Sequence, residues 1–328
     1  VATILLTGAA GFIGWHVARR LGADGHRVVG VDHLGPLFFP SLKRARVDAL
    51  AGTPGFSFVV TDLAEPGAAD ALVASLRPDA IVHLAAQTGV RHSADDPHLY
   101  VRNNVDAFVA VLEAARRRDV PRLLYASSSA VYGEGEGRRV EDDRADRPVS
   151  LYAATKRADE LMAHTYARQF GLTTVGMRFF TVYGPWGRPD MAVWTFAERM
   201  AAGEDVPLYH GGAMRRDFTC VDDVVEAIAR LLVADLSGPH VFNVGSGRCE
   251  PLDRLVDLLE AAMGCRATRR PMPMQTGDVA VTWSDCDRLL QATGYRTGIP
   301  LDVGIPAFVQ WFRAHPDVVA AVRAGRGA

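Results

Sequence analysis

The stretch whose reading decides the fold is Thr3-Ile4-Leu5-Leu6-Thr7-Gly8-Ala9-Ala10-Gly11-Phe12-Ile13-Gly14. Its opening residues form a short, continuous apolar and β-branched run, which predicts a buried strand over 3–7. Helical spacing takes over at residue 12 and predicts a helix over 12–24. Between the two, Gly8, Gly11 and Gly14 let the chain turn sharply, let backbone N–H groups approach a pyrophosphate, and let helix pack closely on strand. The spacing is GxxGxxG and not GxGxxG, and by itself it also suits a tight strand-to-helix turn that binds nothing.

Working outward, a second run over 27–32 ends in Asp32, eighteen residues past Gly14. A carboxylate there accepts hydrogen bonds from a ribose and repels a 2′-phosphate, which favours NAD over NADP. Further strands are expected over 56–60, 80–84, 122–127 and 173–179, and helices over 68–76, 99–118 and 152–170. This alternation predicts an α/β fold, a doubly wound parallel (Rossmann) sheet. Asp62, after the third strand, stands where it can reach the adenine or cap a helix.

Past residue 180 the alternation lapses into shorter pieces rich in Gly, Pro and Met. The expected division is a cofactor domain over 1–180 and a smaller, interleaved substrate-binding lobe over 181–328, with a helix near 221–234 able to return to the first. The polar segment 133–147 reads either as a flap near the substrate or as a solvated loop, and the tail 323–328 as frayed.

Composition excludes several classes. The chain has 328 residues, 48% hydrophobic and 23% charged, with 36 basic against 38 acidic side chains and a net charge of -2. That suits a large buried core and lacks the electrostatic footprint of a nucleic-acid or anionic-membrane binder. Four separated cysteines, without a CxxC pair or a His-rich segment, suggest no zinc and fit a reduced cytoplasmic compartment. Residues 1–18 carry three glycines, a histidine and no basic n-region, and read as a buried strand and helix in place of an export signal. No run of about 18 apolar residues suggests a membrane span.

Only two of the basic residues are lysines, Lys43 and Lys156. A lysine that survives such a bias is a candidate for chemistry that arginine, a wide and permanently charged fork, does not perform. Lys156 stands four residues after Tyr152, so both project from one helix face. A phenol is a poor base at neutral pH, and a neighbouring ammonium favours its ionised form. The plain alternative is an amphipathic helix with a packed Tyr and a solvated Lys.

TGAAGFIG, HLAA at 83–86, SSSAVYG at 127–133, YAATK at 152–156 and RFFTVYGP at 178–185 occur in one order along most of the chain. Together they resemble the extended short-chain dehydrogenase/reductase family. The resemblance implies a catalytic triad of Ser128, Tyr152 and Lys156, with Tyr152 as general acid/base and Lys156 serving both Tyr152 and the nicotinamide ribose. It implies tightly held NAD, lined by Gly8, Gly11, Phe12, Ile13, Gly14, Asp32, Asp62, Leu63, Leu84, Ala85, Ala86, Tyr152 and Lys156. It also implies a nucleotide-sugar substrate and a homodimer formed by helices 99–118 and 151–170, whose apolar residues beyond one stripe include Phe108, Val109, Leu112, Leu161 and Tyr166, with simple core burial of these residues as the plain alternative.

GPWGRPDM at 184–191 and MRRDF at 214–218 are most similar to the UDP-glucuronate 4-epimerase branch of that family. Glucuronate carries a carboxylate at C6, for which an arginine fork is the natural bidentate partner. Arg188 is the candidate, with Ser129 adding a hydroxyl; pairing of Arg188 with Asp190 is the alternative. The resemblance gives Arg216 to phosphate, Tyr209 to the base and Asp278 to the ribose, with Arg91 and Thr181 as further substrate contacts. Gln275 is counted with these substrate contacts, although the family often has arginine where it stands.

The implied reaction is 4-epimerisation of UDP-glucuronate to UDP-galacturonate through a transient 4-keto sugar. The alternatives are a UDP-glucose/galactose 4-epimerase, a UDP-glucuronate decarboxylase and a non-catalytic NAD-binding regulator. Related dehydratases and decarboxylases place acidic residues after the triad Ser/Thr; this chain has Ser129 and Ala130, so no acid beside Ser128 is available for proton transfer at C5.

Overall fold

Short apolar runs and glycine turns produce the expected alternation. It comprises β1 (Thr3–Thr7), α1 (Phe12–Ala23), β2 (Arg27–Asp32), α2 (Pro40–Leu50), β3 (Phe56–Val60), α3 (Ala68–Leu76) and β4 (Ala80–His83). Then follow two short turns, α4 (His92–Asp95) and α5 (Pro97–Tyr100), a π turn at Val101–Asp106, and α6 (Ala107–Arg117). β5 (Arg122–Ser128), α7 (Leu151–Phe170) and β6 (Thr173–Phe179) complete the first half. The structure, a computed structural model, describes residues 1–35, 39–135, 137–275 and 277–325.

The second half contributes β7 (Thr181–Tyr183), α8 (Ala192–Ala201), β8 (Val206–Tyr209), β9 (Arg215–Arg216), β10 (Phe218–Cys220), α9 (Val221–Val233) and β11 (Pro239–Val244). It ends with β12 (Glu250–Pro251), α10 (Leu252–Met263), β13 (Arg269–Met272), α11 (Asp287–Thr293), α12 (Leu301–Ala314) and α13 (Pro316–Gly325). Seven strands form one parallel sheet in the order β11-β6-β5-β4-β1-β2-β3. The chain lays strands outward to one side of β1 and then, from β4, to the other, and this reversal of strand order opens a crevice at the carboxyl ends of the parallel strands, where such sheets bind ligands.

Both sheet faces are covered, so the strands are apolar on both sides. Ile4 and Leu6 of β1 join a core with Trp15 and Leu21 of α1 and Val224 and Ile228 of α9. Leu5, one residue out of phase, faces Val73 of α3, Phe108 and Leu112 of α6, and Ala163 of α7. Phe108 and Leu112, counted from sequence among the dimer-forming residues, are therefore spent on the protein's own core. Leu161 is 54% exposed.

Several expectations change. The helix expected over 99–118 is interrupted by the π turn at Val101–Asp106, whose buried Asn104 bonds to the backbone of Gln87 and to Thr155. Helix α2 escaped the sequence reading because its buried face is Leu42, Arg46 and Leu50, an apolar stripe with a guanidinium at its centre. β11 returns from the second half to extend the sheet beside β6, and α9 packs on α1. The expected frayed tail is helical as far as Gly325, with Arg323 paired to Glu204; residues 326–328 lie outside those described. The 133–147 segment, of which 136 lies outside the described residues, is stitched to the far end of the chain. Arg139 N–H donates to the Trp283 carbonyl at 2.8 Å and Asp285 N–H to the Arg139 carbonyl at 2.8 Å.

Candidate active site

The crevice is a cleft of about 670 Å³. Its floor begins at the glycine turn. Gly8 has φ +70°, and a Cβ on it would lie 2.7 Å from the Ala85 backbone nitrogen. A Cβ on Gly14 would lie 2.1 Å from the Gly8 carbonyl oxygen. At Gly8 and Gly14 the turn therefore admits no side chain, which leaves its backbone open to an anionic group at the start of α1.

At the end of β2, Asp32 is nearly buried, and its Oδ1 accepts from Leu34 N–H at 2.9 Å and from Lys43 Nζ at 3.1 Å. Burial opposes its ionisation, but His33, Lys43 and the Leu34 N–H hold it down at about 2. A permanently ionised acceptor at this point suits ribose hydroxyls. The second lysine of the chain thus lies at the cofactor end, a location its scarcity alone did not reveal. Asp62 lines the cleft and accepts from Ala64 N–H at 3.0 Å in a local turn, with Arg102 at 2.8 Å; it caps no helix, since α3 starts at Ala68 behind Gly67. Phe12, Ile13, Leu63, Leu84, Ala85 and Ala86 line the same wall. A glycine cradle that a Cβ would fill, followed by an ionised carboxylate, fits a dinucleotide without a 2′-phosphate.

Ser150 caps α7 by accepting from Ala153 N–H at 3.2 Å, and Tyr152 and Lys156 follow on the face turned to the cleft. Ser128, at the end of β5, joins them there, its Oγ accepting from Ala130 N–H at 3.2 Å. Lys156 is 2% exposed and donates to Asp159 Oδ2 at 3.0 Å. Burial pushes the Asp159 carboxyl up to about 6 against the pull of Lys156. Sequence reasoning missed Asp159; the available signal was its position three residues after Lys156. His83 stays neutral, pushed down to about 3 by burial and by Lys156, and bonds Thr7 Oγ1 at 2.9 Å.

Two networks fix this wall from behind. Asn104 Oδ1 accepts from Gln87 N–H at 2.7 Å while its Nδ2 donates to Thr155 Oγ1 at 2.9 Å, tying the π turn to the helix that carries Tyr152. Glu160, buried, accepts from Ser127 Oγ at 2.6 Å, Arg157 at 2.7 Å and both Nε and Nη2 of Arg178 at 2.8 Å.

At the opposite wall Ser129, Thr181, Arg188, Arg91, Arg216 and Asp278 reach the cleft. Arg188 holds Asp190 bidentately, with Nε to Oδ1 at 3.1 Å, so the anticipated alternative pairing exists within the cleft itself. Burial disfavours the Arg188 charge, and Asp190 more than restores it. Arg188 is close enough to Tyr152 for their charges to interact. Arg216 donates to the Ala280 carbonyl at 3.0 Å.

Two expected substrate contacts lie off the cleft wall. Tyr209 packs its ring against the Arg91 guanidinium, 5.6 Å from the centroid, and Arg91 in turn approaches Asp278 at 3.8 Å. Gln275 has its side-chain oxygen buried without a hydrogen-bond partner. The reason in both cases is local: Tyr209 belongs to the β8·β13 pair behind the wall, and Gln275 precedes the turn that delivers Asp278.

Known proteins share this arrangement. The model of the NAD dependent epimerase/dehydratase family matches residues 4–245. A probable UDP-glucuronate 4-epimerase of Rhizobium meliloti is 40% identical, covering 96% of this chain and 99% of its own. The crystal structure of UDP-glucuronic acid 4-epimerase from Bacillus cereus with UDP-glucuronic acid and NAD superposes with a TM-score of 0.90 at 31% identity, over 95% of this chain and 99% of that one. UDP-glucose 4-epimerase from Thermus thermophilus, in complex with NAD, gives 0.85 at 34%, over 95% and 99%. A likeness that runs from the glycine turn through Tyr152 to the last strand of the sheet is one of descent, and the chain belongs to the NAD dependent epimerase/dehydratase family.

Proposed function

We propose that the protein epimerises UDP-glucuronate and UDP-galacturonate at C4, with NAD as its resident cofactor. The observation that supports the uronate reading is the Arg188 fork in the same cleft as Ser128 and Tyr152; here it holds the Asp190 carboxylate, which the substrate carboxylate would have to displace or share. The relatives named for UDP-glucuronate 4-epimerisation support it, and the UDP-glucose 4-epimerase neighbour keeps the neutral sugar as the second reading.

NAD, when bound, supplies the reversible oxidation at C4 and is regenerated each turnover. Gly8, Gly11 and Gly14 would hold its pyrophosphate and Asp32 its adenosine ribose. Tyr152 takes the proton from O4 as C4 becomes a ketone and returns it to O4 once C4 has presented its opposite face for reduction. Ser128 steadies O4 through its hydroxyl, and Lys156, anchored by Asp159, supplies a positive charge one helical turn from Tyr152. Between the two half-reactions the 4-keto sugar turns in the cleft. Arg216 and Asp278 hold the nucleotide from the second lobe, with Arg91 behind Asp278.

A 4-keto uronate is a β-keto acid and loses CO₂ when its C5–C6 bond aligns with the carbonyl π system. Arg188, gripping the carboxylate with support from Ser129 and Thr181, holds that bond out of alignment. Ser129 and Ala130 supply no acid beside Ser128, so C5 keeps its proton.

The test is proton NMR of UDP-glucuronate incubated with the protein and NAD. UDP-galacturonate should appear and reach a stable ratio, and Tyr152→Phe should slow this at least about 100-fold, the scale of a lost general acid/base. Conversion of UDP-glucose alone would transfer the assignment to the neutral sugar. The reading extends to a cytoplasmic homodimer joined through α6 and α7. Among the described residues no helix is long and apolar enough to cross a membrane, and the cysteines are unpaired.

A further inference from the structure

The loop that carries Arg188 is held from behind by the cofactor lobe. Three consecutive backbone carbonyls precede Arg188, and each accepts a hydrogen bond from that lobe. His16 Nε2 bonds the Pro185 oxygen at 2.8 Å, and Arg46 Nη2 bonds the oxygens of Trp186 and Gly187 at 2.6 and 2.9 Å. Trp186 has φ +57°, a left-handed conformation that bulky residues rarely adopt. This conformation lets the carbonyls of Trp186 and Gly187 converge on one nitrogen. The other arm of the guanidinium, Nη1, donates to the Ala10 carbonyl at 3.2 Å, inside the glycine turn. Arg46 is 4% exposed, and its hydrogen bonds here are to neutral carbonyls.

We infer that Arg46 is a positioning residue for the uronate: it locks the 185–187 backbone to the cofactor turn and thereby aims the Arg188 fork. A lysine keeps the charge but, as a single ammonium on a flexible stem, does not reproduce the planar reach to Ala10 on one side and to Trp186 and Gly187 on the other. A sugar with no carboxylate draws no benefit from the lock. The inference rests on the uronate reading of Arg188.

The experiment is a double-mutant cycle read by calorimetric binding to the NAD-loaded protein, using UDP-glucuronate and UDP as probes. Arg46→Gln should weaken UDP-glucuronate about tenfold and UDP less than about twofold, with Arg46→Lys in between. On an Arg188→Ala background, Arg46→Gln should change UDP-glucuronate binding less than about twofold. Equal losses on both backgrounds, or equal losses for the two probes, overturn the inference while leaving Arg188 in its role. If Arg188→Ala alone binds UDP-glucuronate like the unaltered protein, the uronate reading falls and the inference with it. Should Arg46→Gln fail to fold with NAD, the same cycle is read with Arg46→Lys, whose loss must again vanish without Arg188.

Discussion

Lys156 was conspicuous in the sequence because arginine has displaced nearly every other lysine, yet its buried partner was not. Asp159 reaches it only because an α-helix brings residues three apart onto one face, and burial of the pair is a tertiary fact. Burial raises the Asp159 carboxyl to about 6, above its usual value of 3.8. Between those values the folded chain binds more protons here than the unfolded one, so this group's contribution to stability falls as pH rises through about 4 to 6. The loss is of order 2–3 kcal/mol for a shift of this size. Melting temperatures of the protein and of Asp159→Asn, measured from pH 4 to 7, should diverge in slope across that window. Parallel curves would refute this account. The same limit governed Arg188, legible as a carboxylate fork, whose intramolecular partner Asp190 stood in the sequence only as one of two options.

At the scale of elements, the strands and the glycine turn were legible because a buried parallel strand leaves a short apolar run between turn residues. The first three strands and α3 lie where their runs begin and end. α2 was not legible, since its inward face is interrupted by Arg46, and the π turn was not, since helical periodicity does not register one extra residue per turn. Behind β5, β6 and α7 the Ser127, Glu160 and Arg178 network joins three elements through one carboxylate. Burial opposes the Glu160 charge, and Arg178, Ser127 and Arg157 overcome it. Removing one partner of such a buried pair strands the other, at a cost of about 3–5 kcal/mol. Arg178→Met should lower the urea midpoint accordingly, and a drop worth less than about 1 kcal/mol would show that the pair is dispensable.

For the molecule as a whole, the cofactor half was readable because the residues proposed to meet NAD are a glycine turn and one carboxylate, both written locally. The substrate wall was less so: Arg91, Arg216 and Asp278 reach the cleft, while Tyr209 and Gln275 stand back from it, a distinction decided by how short strands of the second lobe stack. The return of β11 to the sheet was equally non-local. The proposed homodimer belongs to this scale. Leu161 on α7 is 54% exposed, an apolar side chain that suits the proposed self-association through this helix. Light scattering should give twice the chain mass, and Leu161→Arg should shift it toward the single chain; an unaltered dimer would place the interface elsewhere.

The loop before Arg188 rests on an aromatic floor. Trp186 lies 5.2 Å from Trp15, 5.2 Å from Trp311 and 5.1 Å from His315, and Trp194 lies 5.3 Å from Trp311. Four of the five tryptophans in the chain therefore share one patch beneath the sugar-facing loop, with rings near enough to exchange excitation. The intrinsic ultraviolet emission of the unlabelled protein should therefore come largely from beneath and within that loop, with Trp283 as the one contributor outside it, and a shift on adding UDP-glucuronate would give an optical readout of the loop without any added dye.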